Sequence, residues 1–421
     1  MVAGVMILFL VMLVIGVPIA VCMGLTAAAW LLVNPEIPGM LVASKMYAQM
    51  DNFAMLAVPF FMLAGQVMER TGITDGLVDF ANSIVGHIRG GLSHTACLTG
   101  MLMAGISGSG QADTAAIGNV LIPALKKDGY EEGYAVSVVA SAGGLGPIIP
   151  PSIFFIYYAN ATQYSVGKLF MGGMIPGILM GIGFMVIGYF YARKRQIPLR
   201  PFAGFGNIWR SFKRNVFVLF MPCIIVFGIL LGVFTPTEAG VVAALYGIIY
   251  GFVTRRLTLK DLAESLTQAV VSSIGALMIV ILSSLFGYVL TRLNISDVVM
   301  NLCSHFSSDL GFYIFILVVC LIAGMFLDGA AIIFLFIPVL LPVVTAMGLD
   351  FQHFSMFFLL AASMNQITPP VGCLLFVAAG INNTPLKQVI KPIIPFIAVC
   401  TIVTLLVIPF PGLVTWLPSL M

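Results

Sequence analysis

The sequence predicts an all-α polytopic membrane protein made of two inverted repeats, each with a re-entrant helical hairpin and a broken helix. Three observations predict it. First, 60% of its 421 residues are hydrophobic and 8% charged, with a mean hydropathy of +1.10. A water-soluble chain of this length has too little interior for so much apolar surface. Second, residues 104–176 align without a gap to residues 323–395 at sixteen identical positions, among them Gly105/Gly324, Gly110/Gly329, Pro123/Pro342, Pro150/Pro369, Pro151/Pro370 and Lys168/Lys387. Chance at this composition gives roughly 5–6, so the match reads as an internal duplication. A shift of 222 extends it upstream through Gly65/Gly287, Arg70/Arg292 and Asp75/Asp297. Third, the basic residues fall where the two copies must face opposite sides of a bilayer.

The elements follow in chain order. Residues 2–33 open without a basic stretch and exceed a signal-peptide core, so they read as one retained span. A span at 53–70 and an amphipathic piece at 73–86 precede two apolar arms, 91–105 and 112–126. Each arm is too short to cross a bilayer, and Gly and Ser crowd the turn between them, which predicts a re-entrant loop. Segment 131–160 is apolar but broken at 143–152, where three glycines and three prolines oppose a smooth helix. A span at 169–192 leads to the most polar segment, 193–214, with Arg193, Lys194, Arg195, Arg200, Arg210, Lys213 and Arg214. That cluster predicts a cytoplasmic loop. Spans at 216–233 and 237–254 flank a tight outer turn at 234–240, and an amphipathic piece at 258–265 precedes a span at 266–290. The second hairpin is expected at 310–327 and 330–346, the second broken segment at 352–381 and a last span at 392–411.

This divides the chain into an N-terminal scaffold span and outer loop (1–52), a first repeat (53–176), central scaffold spans (177–265), a second repeat (266–395) and the end of the last span (396–421). With 193–214 inside, walking outward places Arg255, Arg256, Lys260, Lys387, Lys391, Lys126 and Lys127 inside as well. No Lys or Arg lies between 293 and 386, as expected if hairpin 310–346 enters from outside. The hairpin 91–126 then enters from the cytoplasm, and a single crossing at 2–33 places the N-terminus there too. Lys45, Lys168 and Arg292 fall outside as isolated exceptions.

A break at membrane depth frees backbone groups that cost several kcal/mol each unless protein, water or a ligand satisfies them. The breaks at 143–152 and 363–370 should each face the hairpin tip of their own repeat. Carbonyls with Ser, Thr, Asn or Asp oxygens suit Na⁺, and amides at helix N-termini suit an anion. The expected Na⁺ ligands are Ser107, Ser109, Asp113, Gly144, Pro147 and Ile149 at one break, and Asp328, Gly329, Asn365 and Thr368 at the other, which gives at least two sites. The expected substrate contacts are Ser107, Gly108, Thr114, Ser152, Asn365 and Pro369. Asp113 and Asp328 are charges at membrane depth, which points to function, although a capping or water-reaching carboxylate fits as well. Ser107, Ser109 and Thr114 also suit close helix packing, and Ser152, Asn365 and Thr368 suit helix caps.

The remaining features carry less. The seven cysteines are scattered without metal-ligand spacing and read as small apolar residues. His87, His94, His305 and His353 read as packed or interfacial, and Trp30, Trp209 and Trp416 as aromatic belts. No HExxH or GxSxG stretch suggests an enzyme.

Four stretches carry a family resemblance: Ser-Gly-Ser-Gly-Gln-Ala-Asp-Thr-Ala at 107–115, Gly-Pro-Ile-Ile-Pro-Pro-Ser at 146–152, Thr-Pro-Thr-Glu-Ala-Gly at 235–240 and Asn-Gln-Ile-Thr-Pro-Pro-Val-Gly at 365–372. They resemble the large membrane subunit, the DctM-type permease, of the tripartite ATP-independent periplasmic (TRAP) transporters. The resemblance implies an ion-transporter-like elevator fold in a bacterial inner membrane, driven by a Na⁺ gradient. It implies a separate four-helix small membrane subunit, a periplasmic substrate-binding protein, and a carboxylate substrate such as sialic acid or a C4-dicarboxylate. A stand-alone Na⁺/dicarboxylate symporter of related fold, or a passive channel, is the alternative. The lipid bilayer is the expected surrounding and nucleic acid is not an expected partner.

Overall fold

The computed structural model describes residues 2–303 and 308–421, so His305 lies outside the described residues. All regular elements among those residues are helices. The first are α1 (Val2–Val14), α2 (Ile19–Val33), α3 (Gly39–Met50), α4 (Ala57–Thr71) and α5 (Ile73–Val85). The first repeat continues with α6 (Gly91–Ser107), α7 (Gly110–Lys127), α8 (Glu132–Gly143) and α9 (Ile153–Thr162). Next come α10 (Val166–Lys194), α11 (Phe205–Leu230), α12 (Pro236–Val253) and α13 (Leu259–Arg292). The second repeat adds α14 (Ile295–Cys303), α15 (Asp309–Gly324), α16 (Gly329–Ala346), α17 (Phe351–Ser363) and α18 (Cys373–Asn382), before α19 (Leu386–Val407) and α20 (Gly412–Thr415). Among the described residues, seven helical segments are long and apolar enough to cross a membrane, including α10, α11 and the 34-residue α13.

The duplication holds in detail. Shifted by 219, the ends of α7 fall on the ends of α16, and the Pro150–Pro151 bond falls on Pro369–Pro370, both cis. Shifted by 222, the left-handed Gly72 that ends α4 falls on the left-handed Asn294.

One helix measures out the inversion. Along α10, Gly172 faces Gln352 at the foot of the second hairpin. Gly177 faces Ile149 at the first break, and Gly188 faces Ser93 and Tyr134 at the foot of the first hairpin. The two feet therefore lie toward opposite ends of one continuous helix. The α19 helix repeats the arrangement in reverse, with the Gln388 carbonyl against Gly133 at one end and the Val407 carbonyl bonded to His353 at the other.

A scaffold surrounds the two hairpins and broken helices. Gly240 and Gly247 let α12 approach Phe60 and Val67 of α4, and Arg70 of α4 reaches Glu264 of α13 at 2.8 Å. The amphipathic α5 lies on α11, where Asp79 accepts hydrogen bonds from Ser211 and Asn215, both at 2.9 Å. The turn at 234–240 is a helix start: Thr235 and Glu238 cap each other's backbone in a reciprocal box.

Four expectations are corrected. The single span at 2–33 is two helices, because Gly16 at φ +88° ends α1 and Pro18 begins the next segment. Phe9 stacks on Phe286 while Gly24 faces Leu282, one turn away on the same partner helix. A continuous helix would separate residues 9 and 24 by about 22 Å, so α1 and α2 are not collinear, and a cytoplasmic N-terminus has no single crossing to rest on. The polar segment 193–214 is a loop only to residue 204; Arg210, Lys213 and Arg214 ride on α11. The amphipathic piece at 258–265 is continuous with the span after it, as the first turns of α13. Trp30 is buried against α13 rather than placed at an interface, whereas Trp209 and Trp416 are exposed.

Candidate functional site

Each hairpin tip meets the break of its own repeat. At the first, α6 ends at Ser107, Gly108 turns the chain at φ +62°, and Ser109 caps α7 by accepting from the Ala112 amide. The left-handed turn needs glycine, and the approach here needs it too: a methyl on Gly108 would strike the Pro151 carbonyl. The Gly108 carbonyl accepts from the Ile153 amide at 3.3 Å, which pins the tip to the start of α9.

Behind that tip lies a buried carboxylate. Ser107 Oγ donates to Asp113 Oδ1 at 2.5 Å, and the Ser109 amide donates to Ser107 Oγ at 3.1 Å. Asp113 Oδ2 has no protein partner; it faces Gly146, where a methyl would stand 2.7 Å away. Thr114 Oγ1, also without a partner, lies against Gly143. Ser152 donates its hydroxyl to the Pro147 carbonyl at 2.5 Å and caps α9 by accepting from the Phe155 amide.

The second centre is built alike with different side chains. Asp328 stands where the duplication places Ser109 and caps α16 by accepting from the Ala330 amide at 3.2 Å. Asn365 donates Nδ2–H to the Leu327 carbonyl at 3.1 Å, which ties break to tip, and its Oδ1 has no partner. Thr368 donates back to the Met364 carbonyl at 2.7 Å. Where the first centre has Ser107, Asp113 and Thr114, the 219-residue shift gives Phe326, Ile332 and Ile333. The second centre is thus the more apolar, with its carboxylate at the helix cap.

The two centres touch. Gln366, which sequence reasoning passed over, reaches from the second break to Gly110 of the first tip; a methyl there would stand 2.7 Å from its Oε1. Its only local signal was a polar residue beside Asn365 in the second break. Gly329 of the second tip faces Phe154 of α9, and Gly118 of α7 faces Ile381 of α18. The half-helix after each break therefore lies along the hairpin of the other repeat.

The structure brings together Ser107, Ser109, Asp113 and Thr114 with Gly143 and Gly146, and Asp328, Gly329 and Asn365 around Leu327. Pro147 takes part through a carbonyl that already holds Ser152. The side chain of Ile149 points away, against Gly177 of α10, so only its backbone faces the break. Gly144 lies beside Ile367 of the second break. Pro369 sits in the cis pair that precedes α18.

Chemically, four buried oxygens without protein donors gather at these breaks: Asp113 Oδ2, Thr114 Oγ1, Asn365 Oδ1 and Gln366 Oε1. An unsatisfied buried polar group costs about 1–3 kcal/mol, so this donor set fits a hard cation. Four helices also begin here, α7, α9, α16 and α18, and their free amides favour negative charge.

The three histidines among the described residues are packed. His353 bridges Tyr313 at 3.1 Å and the Val407 carbonyl at 2.8 Å, His94 bonds the Arg89 carbonyl, and His87 rests edge-on against Phe202.

Comparison with known proteins agrees with this architecture. The YdaH transporter of Alcanivorax borkumensis superposes with a TM-score of 0.64 over 90% of this chain and 88% of its own, at 15% identity, a likeness of fold alone. The C4-dicarboxylate TRAP transporter large permease protein DctM of Pseudomonas aeruginosa is 36% identical over 90% of this chain and 89% of its own length. The sialic acid TRAP transporter permease protein SiaT of Haemophilus influenzae is 33% identical over 99% of this chain. The isethionate TRAP transporter permease protein DctMQ of Oleidesulfovibrio alaskensis is 35% identical over 96% of it. This chain spans 68% and 64% of those last two proteins. These relatives are transport permeases, not enzymes. Residues 6–413 match the family described as the tripartite ATP-independent periplasmic transporter, DctM component, and the chain belongs to that family.

Proposed function

We propose that the chain is the large permease of a Na⁺-coupled importer for a small organic carboxylate in a bacterial inner membrane. Unpartnered buried oxygens and four helix N-termini gather where the two tips meet the two breaks, and this observation carries the reading. No Lys or Arg lies in 90–125, 128–167 or 293–386, the segments that build it. An anion entering there is met by amides and by co-transported cations, not by side-chain charge. One Na⁺ belongs between the 105–114 tip and the 143–152 break, with Ser107, Ser109, Asp113 and the carbonyls of Gly144, Pro147 and Ile149. A second belongs between the 324–330 tip and the 363–370 break, with Asp328, Gly329, Asn365 and Thr368. The substrate carboxylate sits between the tips, near Ser107, Gly108, Thr114, Ser152, Asn365 and Pro369.

Transport follows an elevator course. The two hairpins and broken helices, held together by their cross-repeat contacts, slide as a unit against α4, α11, α12 and α13. The relatives' names, which include sialic acid and C4-dicarboxylate permeases, support a carboxylate substrate. A separate small membrane subunit extends the scaffold, and a periplasmic binding protein delivers the ligand. The test is uptake of labelled carboxylates into proteoliposomes with both partners supplied. Uptake that needs an inward Na⁺ gradient and both partners is expected. Equal uptake when K⁺ replaces Na⁺ would overturn the coupling, and full uptake by the chain alone would replace the tripartite reading with a stand-alone symporter.

A further inference from the structure

A cavity of about 280 Å³ opens between the scaffold helices α3 and α13 and the hairpin helix α16. Lys45 and Gln49 of α3, Tyr288 and Thr291 of α13, and Phe334 and Pro338 of α16 line it. The basic-residue pattern puts this end of α13 on the outer face. Lys45 Nζ lies 5.9 Å and the Arg292 guanidinium carbon 5.4 Å from the centre of the Tyr288 ring. Arg292 Nε donates to the Tyr288 hydroxyl at 2.9 Å, so Tyr288 ties this second cation to the cavity wall.

The polar groups left free around this space are donors. Among the described residues, no carboxylate lies within ion-pair distance of Lys45 or Arg292. The Tyr288 hydroxyl accepts from Arg292, and its own proton has no acceptor among those residues. Gln49 accepts from Asn160 through Oε1 at 3.0 Å, which leaves its NH₂ as the free end. The duplication supplies a comparison. Arg70, the mate of Arg292 at a shift of 222, is paired with Glu264 at 2.8 Å and Asp261 at 3.5 Å. Arg292 meets a second cation on the same ring instead of an acid. A cation–π contact contributes about 0.5–1 kcal/mol at an exposed site and leaves the like charges uncompensated. A lysine, an arginine, a phenol and an amide, all acting as donors, are the complement of a carboxylate.

The cavity also borders the second centre. Phe334 lies 5.8 Å from Tyr157, Tyr157 lies 6.4 Å from Phe154, and the Phe154 ring rests against Gly329 of the second tip. Three rings therefore separate these donors from the tip. We propose that Lys45, Gln49, Tyr288 and Arg292 form an outer receiving site for the substrate carboxylate, ahead of the centre between the tips. The substrate assignment rests on the importer reading, whereas the anion site rests on the donor set alone. A phospholipid headgroup is the competing anion.

The test has two arms. The first uses the full chain in detergent, without partners, and pyridoxal 5′-phosphate as a labelling reagent. This anionic aldehyde condenses with a lysine amine, losing water, and borohydride reduces the imine to a stable amine. Labelling of Lys45 is compared by peptide mass with that of Lys168, an exposed lysine assigned to the same face. Charge-assisted binding beside Arg292 should speed Lys45 over Lys168 by about tenfold. Succinate or sialic acid should slow Lys45 alone, and R292Q should abolish both effects. The second arm is uptake with both partners supplied. K45Q/R292Q should raise half-saturating external substrate about tenfold, far more than it changes the maximal rate, and K45R should stay near the unaltered value. Equal labelling of the two lysines, or protection by phosphatidylglycerol and by neither carboxylate, overturns the site. Protection of Lys45 with unchanged half-saturation in K45Q/R292Q overturns the receiving role. Absence of carboxylate uptake by the unaltered system sinks the importer reading and the receiving role with it, while the labelling arm still decides the anion site.

Discussion

Ser107 holds one oxygen of Asp113 at 2.5 Å, and the other oxygen, against Gly146, has no protein donor. Asp113→Asn keeps the shape and the serine contact but removes the charge. An interaction with a charged group contributes about 1.5–3 kcal/mol, so half-saturating Na⁺ for uptake should rise about 10- to 100-fold. A Na⁺ titration of initial uptake rates checks this, and an unchanged curve would remove Asp113 from the ion site.

Gly146→Ala places a methyl 2.7 Å from Asp113 Oδ2 and 3.1 Å from the Gly110 amide, inside a fully packed centre. Overpacking of this kind costs about 1–3 kcal/mol, so thermal unfolding in detergent should move down. Gly380→Ala is the control: it lies in α18 with nothing within 4 Å. It should be neutral or stabilising by up to about 1 kcal/mol.

Asn365→Ala removes the donor that ties the second break to the Leu327 carbonyl. Leaving a buried acceptor unmade costs about 1–3 kcal/mol. Asn365→Asp should cost more, since it sets a carboxylate against that carbonyl. Chemical denaturation of both variants orders them, and the reverse order would mean the amide does not hold the tip.

The proposed sliding of the hairpins past α11 can be tested by a cross-link. Leu102 of α6 and the native Cys223 of α11 line the same cleft. Leu102→Cys bridged to Cys223 by mercuric ion should lower uptake at least about tenfold, the effect of a lost conformational step of ~1.4 kcal/mol or more. Added thiol should restore it. The same treatment with Cys223→Ser should do nothing. Undiminished transport in the bridged protein would show that α6 and α11 do not move apart.

Much of this architecture was legible because its signals are local. The Gly110/Gly329 and Pro150/Pro369 pairs mark a turn and a break wherever they occur, so a register of 219 carried the ends of α7 onto those of α16. The turn at Gly16-Val17-Pro18 was overlooked for the opposite reason: apolar residues on both sides blend into one hydrophobic run, and hydropathy does not record a change of direction. The helices α3 and α14 are too short to leave such a signal. Gln366 was missed because its role depends on reaching Gly110 in the other repeat, a contact that neither neighbourhood encodes.

The exchange of half-helices between repeats bears on how the protein is made. Gly118 must wait for Ile381, more than half the chain later, and Phe154 for Gly329. During synthesis the first hairpin enters the bilayer long before α18 exists, so Asp113 and Thr114 spend that interval beside an unfinished wall. Contacts this distant in sequence form late and together. Neither repeat is then enclosed by itself, and the pair of centres is complete only when the second half of the chain arrives. A nascent chain stalled in the 195–204 loop would hold the first hairpin without Gln366 and Ile381 against it.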